Sequence, residues 1–157
     1  MYCAVHRGPG KICAIKVLDK YHIMKVGMTF ANFSQHKKIQ SVFRERDLLR
    51  ELIHPNIIRQ FLTFQDDQNL YYVFEYVNRG SLTKLISKLS LGDLRMPMDL
   101  VRYYAAEIVL ALEFLHSKKI IHRDLKPENI LISDDWHLKL VIARSRSCFR
   151  LISGMLW

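Results

Sequence analysis

The hydrophobic pattern changes period several times along the chain. Gly8-Pro9-Gly10 is a turn signal between a short strand near Tyr2–Val5 and a longer one over Lys11–Leu18. Side chains alternate along an extended strand. Ile12, Ala14, Lys16 and Leu18 therefore share one face, and Cys13, Ile15 and Val17 the other. Residues 21–40 are mixed and basic, and 26–35 reads as an irregular insertion. Over Ser41–Ile53 the period becomes helical. At about 100° per residue, Val42, Leu48, Leu49, Leu52 and Ile53 fall in one sector, Glu45 falls inside it, and Asp47 and Glu51 lie opposite. His54-Pro55-Asn56 ends that helix. Ile57–Phe64 and Leu70–Tyr76 predict two strands joined by a hairpin over Gln65–Asn69. After a loop, Ser81 is placed to cap the next helix. Asp93–Pro97 is loop, and Met98–Lys118 is a long helix apolar around most of its circumference, which predicts burial on several sides. Ile120-Ile121 and Ile130–Ile132 predict short buried strands around a polar loop. Ser133–Trp136 is a turn, His137–Ile142 a last strand, and 143–157 shows no period.

Composition narrows the class. The 157 residues suffice for one domain with a core, or about half of a larger one. The net charge of +9, from 24 basic and 15 acidic residues, is dispersed and accompanies no nucleic-acid motif, so phosphate-bearing ligands explain it more economically. Three scattered cysteines, Cys3, Cys13 and Cys148, make neither a disulfide framework nor a zinc site and suit a reducing, cytoplasmic compartment. The N-terminal residues do not read as a signal peptide, and no apolar run approaches membrane-spanning length.

The chemistry concentrates in the polar loop. Asp124 supplies a carboxylate, Lys126 an ammonium and Asn129 an amide oxygen. Those groups can accept a hydroxyl proton, neutralise a transferring phosphoryl group and hold a hard metal ion. On the Lys11–Leu18 strand, Lys16 lies on an apolar face beside Ala14; by itself it is equally an edge lysine reaching water. Glu45 lies within an apolar helical sector and needs a cationic partner, either Lys16 or a neighbouring Arg44 or Arg46.

The run His122-Arg123-Asp124-Leu125-Lys126-Pro127-Glu128-Asn129 resembles the catalytic loop of the protein kinase family, and Ala14-Ile15-Lys16 resembles its strand lysine element. Lys126 and Glu128 are similar to the serine/threonine branch. Arg44–Asp47, Thr63–Asp67, Ala106–Val109 and Leu112–His116 resemble the 3-phosphoinositide-dependent kinases of the AGC group. The resemblance implies an α+β, bilobal fold and phosphorylation of Ser/Thr hydroxyls on protein substrates, with ATP and Mg²⁺ as cofactors. It implies Asp124 as catalytic base, Lys126 as the phosphoryl-steadying cation and Asn129 as magnesium ligand. Lys16 would bind phosphates and pair with Glu45. Ala14, Phe74, Glu75, Val77 and Leu131 would line the adenine site, and Lys20, Ile23, Arg46, Thr63, Gln65 and Leu70 would form a docking groove for a hydrophobic substrate segment.

The departures carry their own expectations. The pattern begins inside the family's second strand, without its Gly-rich loop. Ile142-Ala143-Arg144 stands where Asp-Phe-Gly is expected, and neither activation segment nor later helices follow. Gln60 replaces a buried apolar residue. The expected organisation is a partial kinase domain truncated at both ends, with an N-lobe part at 1–77, a C-lobe part at 78–142 and an aberrant tail at 143–157. The alternative function is an inactive fragment that binds nucleotide or phosphopeptide without turnover.

Overall fold

The computed structural model describes residues 2–5, 10–21 and 52–142. The chain divides into two units, one of Met1–Ile53 with Arg59–Tyr76, the other of His54–Ile58 with Val77–Trp157.

The first unit is built on an antiparallel sheet of β1 (Tyr2–Val5), β2 (Ile12–Asp19), β3 (Gln60–Gln65) and β4 (Asn69–Glu75), in the order β1-β2-β4-β3. Ile12, Ile15 and Val17 in β2 and Tyr71, Tyr72, Val73 and Phe74 in β4 are the residue types that a pleated, half-buried surface favours. β2 and β4 pair Ala14 with Phe74, Lys16 with Tyr72 and Leu18 with Leu70, so the face expected for Lys16 is the one it occupies. Asp66 turns the β3–β4 hairpin by accepting the Gln68 and Asn69 amides at 2.8 and 2.6 Å, the local bonding that suits Asp to turns. The Tyr71 hydroxyl, together with these amides, holds its carboxyl below the usual range.

The strand expected at Ile57–Phe64 is divided. Asn56 is buried and donates its side-chain amide to Leu138 O at 3.2 Å, while Ile58 N donates to Leu140 O at 3.0 Å. Residues 56–58 therefore belong to the second unit, and β3 begins only at Gln60. An apolar run states that it is buried but not in which sheet. Leu52 is buried and Ile53 exposed, and neither is helical. The remainder of the helix expected from Ser41 lies outside the described residues. Gln60 is buried as expected of its position; its Nε2 donates to Thr63 Oγ1 at 2.9 Å, and its Oε1 has no partner.

The second unit contains α1 (Leu82–Leu91), α2 (Met98–Ser117), a 3₁₀ turn at Pro127–Asn129, and the antiparallel pair β5 (Ile130–Ile132) and β6 (Leu138–Leu140). Ser81 occupies the cap position of α1 with extended backbone; its carbonyl accepts the Lys84 and Leu85 amides, but its hydroxyl makes no capping hydrogen bond. Its backbone bridges instead to Leu131. Ile120 and Ile121 form no named strand, although Ile120 is buried.

Burial of α2 on several sides does not hold. Among the described residues only Tyr104, Glu107, Ala111 and Leu115 are buried, a single stripe at helical spacing, while Val109 and Leu110 are 61% and 50% exposed. Apolar composition overstated the buried face because Met98, Val101, Val109 and Leu110, which lie off the stripe, are exposed.

α2 ends in a Schellman motif. Ile120 N donates to Leu115 O and Lys119 N to His116 O, both at 2.9 Å, and buried Leu115 and Ile120 close the turn. Lys119 takes the left-handed position at φ +60°, where glycine is at ease and an L side chain is strained. Replacing it relieves that strain at the point where the chain enters the polar loop. Lys119→Gly is expected to stabilise the protein by about 1 kcal/mol, read from a denaturant midpoint. Lys119→Val should lower the midpoint, and an unchanged value for both would contradict the assignment.

Candidate active site

The polar loop is fixed from beneath by His122, which is buried. Its Nδ1 accepts the Asp124 amide at 3.3 Å, so Nε2 carries the proton and donates to Val141 O at 2.9 Å. Val141 N in turn donates to Asn129 O at 2.8 Å. One imidazole and one backbone bond thus tie both ends of the loop to the chain just after β6. Arg123 beside it has φ +60°, a backbone conformation that concentrates at functional turns.

Within that loop three expected residues meet. Lys126 Nζ lies 3.1 Å from Asp124 Oδ1, and Asn129 Nδ2 donates to Asp124 Oδ2 at 2.9 Å and to Asp124 O at 2.8 Å. The Lys126 ammonium first, then the Asn129 amide, hold the Asp124 carboxyl below the usual carboxylate range, against a weaker upward pull from burial. Asp124 is therefore ionised at neutral pH. Its side chain remains 33% exposed, and each carboxylate oxygen keeps a lone pair for a further donor. Because the Asn129 nitrogen is committed to Asp124, the amide oxygen is left on the opposite edge.

Leu131 pairs with Lys139 across β5–β6 and bridges to Ser81, four residues beyond Val77, in the same unit. The first unit carries Ala14, Lys16 and Phe74 on one face of its sheet, with Tyr72 stacked against Phe74. Glu75 points to the other face; its Oε1 accepts the Arg59 amide at 2.7 Å. Thr63, Gln65 and Leu70 share the Lys16 face through the β3–β4 register. Lys20 donates its ammonium to Asp66 O. Glu45, Ile23 and Arg46, and with them the expected Lys16–Glu45 ion pair, lie outside the described residues.

Two residues that hold the site escaped the sequence reading. Glu107 is buried, accepts Leu138 N at 2.8 Å and binds His137 Nδ1. The only sequence signal was a carboxylate inside an apolar helical stripe. Tyr103 reaches the same imidazole at 2.7 Å.

Comparison with known proteins places this geometry. A model of the protein kinase domain matches residues 1–141. The chain belongs to the protein kinase family. The match stops one residue short of Ile142, where the family's metal-binding sequence was expected. The chain is 45% identical over 127 residues to human 3-phosphoinositide-dependent protein kinase 1, covering 81% of this chain and 20% of that protein. It is 45% identical over 129 residues to 3-phosphoinositide-dependent protein kinase B of Dictyostelium discoideum, covering 82% and 13%. It is 41% identical over 131 residues to cAMP-dependent protein kinase type 3 of Saccharomyces cerevisiae, covering 83% and 29%. The chain thus spans less than a third of each of these relatives. The small sheet and helical second unit fit the α+β kinase fold expected from the sequence. Among the described residues no helix is long and apolar enough to cross a membrane.

The Glu107–His137 bond makes the seat of this kinase loop sensitive to pH. Hydrogen bonding to Glu107 raises the His137 pKa above 6.5, outweighing desolvation and the opposing charge of Lys139; Asp135 adds to the rise. The folded state thus binds the proton more tightly than the unfolded chain. The resulting stabilisation is fully present below about pH 6.5 and is lost as pH rises through the raised folded value. Glu107→Gln should flatten this dependence. Denaturant midpoints measured across that range would refute the assignment if both proteins gave the same slope.

Proposed function

We propose that the loop around Asp124 transfers a phosphoryl group from ATP to a Ser or Thr hydroxyl of a protein substrate, in the manner of the 3-phosphoinositide-dependent kinases. The observation that carries this reading is the ionised Asp124 carboxylate, fixed between Lys126 and Asn129 yet open to solvent. Asp124 accepts the proton of the substrate hydroxyl. The freed oxygen bonds to the γ-phosphorus as the bond to the β-phosphate oxygen breaks, and ADP leaves. Lys126 lies close enough to the carboxylate to neutralise charge on the transferring group. Catalysis of this kind is mostly positioning and electrostatics. Ala14, Phe74, Glu75, Val77 and Leu131 are assigned to the adenine, Glu75 through its backbone, and Lys16 to the phosphates with Glu45 as its partner. Thr63, Gln65, Leu70 and Lys20, with Ile23 and Arg46, are assigned to substrate docking. The ATP-rich cytoplasm suits such an enzyme.

A magnesium ion would neutralise phosphate charge here. Asn129 offers an oxygen suited to it, but magnesium is ordinarily held by one or two carboxylates together with phosphates. Among the described residues no cluster of acidic, His and Cys side chains could hold a metal, and buried, apolar Ile142 stands where the second carboxylate is expected. These residues alone do not fit the ion. Ile142 favours a second reading for the chain as written, namely nucleotide or phosphopeptide binding with little turnover.

Two measurements separate the readings. Purified chain supplied with ATP, magnesium and a Ser/Thr peptide is expected to transfer phosphate slowly. Asp124→Asn should lower that rate by about 10²–10⁴; equal rates would remove Asp124 as the base. Because Lys126 and then Asn129 hold the carboxyl below its ordinary value of 3.8, the midpoint of an acid loss of rate that belongs to Asp124 should lie below pH 3.8. Converting Ile142-Ala143-Arg144 to Asp-Phe-Gly should raise the magnesium-dependent rate by about 10². A rate already fast without that change would overturn the second reading.

A further inference from the structure

Val77 and Leu131, the two adenine residues assigned to the second unit, come from separate stretches of chain. The linker of residues 77–81 is attached to β5 by little backbone pairing. Ser81 bridges to Leu131, and Ile132 N donates to Gly80 O at 2.9 Å, with Gly80 turned to φ +80°.

A side-chain contact reinforces this attachment from the far end of the hairpin. The guanidinium of Arg79 lies 4.3 Å from the ring centre of Trp136, and its Nε donates to Asp134 O at 3.0 Å. Trp136 sits in the β5–β6 turn at φ +65°. A bulky aromatic residue is strained there, in a turn position where glycine would rest without cost. The ring is 49% exposed, so burial offsets only part of the strain. The stack with Arg79 is the specific interaction that this strained placement obtains.

We propose that Arg79 and Trp136 form a clamp that fixes the linker on β5 and so sets Val77 against Leu131, making both of them positioning residues for nucleotide binding. The clamp rests on the nucleotide reading given above, and it acts through the linker. Arg79 spans the two parts: it is bonded covalently to the linker, by hydrogen bond to the turn backbone and by stacking to the turn side chain. Lysine would keep the charge but lose the planar fork that makes the last two contacts at once.

The test is calorimetric titration of the whole chain with ATP and with adenosine, using Arg79→Ala, Trp136→Gly and Trp136→Phe. An exposed cation–π contact of about 0.5–1 kcal/mol corresponds to a loss of about two- to fivefold in affinity. That loss is expected for Arg79→Ala and Trp136→Gly, with Trp136→Phe close to wild type. Because Gly accepts φ +65°, Trp136→Gly should not lower the thermal midpoint. A purely structural contact would instead move the midpoint and leave affinity unchanged. Wild-type affinity in Trp136→Gly overturns the proposal, as does an affinity loss that Trp136→Phe shares. If the wild-type chain binds neither ligand, the nucleotide reading has failed by itself. Hydrogen exchange at the Ile132 amide then decides the clamp: exchange faster in Arg79→Ala supports it, and exchange at the wild-type rate overturns it.

Discussion

The second unit depends on a strand of three residues whose hydrogen-bonding groups are shared among distant parts of the chain. Leu140 donates to Asn56 O and accepts from Ile58 N. Leu138 donates to Glu107 and accepts from the Asn56 side chain. Lys139 faces Leu131 across the pair, and Val141, the residue that follows the strand, closes the polar loop through Asn129 and His122. So short a strand pair is marginal by itself. It persists because a buried backbone must satisfy its polar groups, and here each satisfied group draws in a helix, a linker or a loop. The position of Asp124 follows from that requirement as much as from its own neighbours.

Much of this was legible beforehand where local chemistry decides the outcome. The Asp124–Lys126–Asn129 grouping could be read from spacing, because a short loop between fixed ends brings residues two to five apart into contact. The face shared by Ala14 and Lys16 followed from strand alternation alone. What could not be read involves partners far apart in sequence. Nothing in Ile57-Ile58 says that they leave the first sheet for β6. Ser81 has the right residue type for a cap, yet tertiary pairing with Leu131 claimed its backbone. Glu107 was one charge in an apolar helix until the unpaired Leu138 amide gave it a purpose.

The kinase resemblance and the physical reading diverge at one place, Ile142. Up to Val141 the backbone around the loop is complete, with His122 holding both sides. Beyond it the residue that should contribute charge is apolar and buried. Geometry and charge therefore part company at this point of the chain: the hydrogen bonds that hold Asp124, Lys126 and Asn129 together are in place, while Ile142 is a side chain suited to a core.

Gln60 has a consequence for how the first sheet forms. The strand it opens carries Phe61, Leu62 and Phe64, each between 41% and 47% exposed, with Leu62 and Phe64 on one face opposite Val73 and Tyr71. Hydrophobic patterning therefore gives β3 little reason to prefer one alignment with β4 over a slip by a single residue, a slip that would turn every side chain to the opposite face. The irregularity between Gln60 and Leu62 belongs to the observed alignment, in which Gln60 opposes Phe74 and is buried. A buried amide with one unsatisfied oxygen costs stability in that alignment. The sheet edge at β3 therefore carries exposed apolar side chains beside one buried amide oxygen that has no partner.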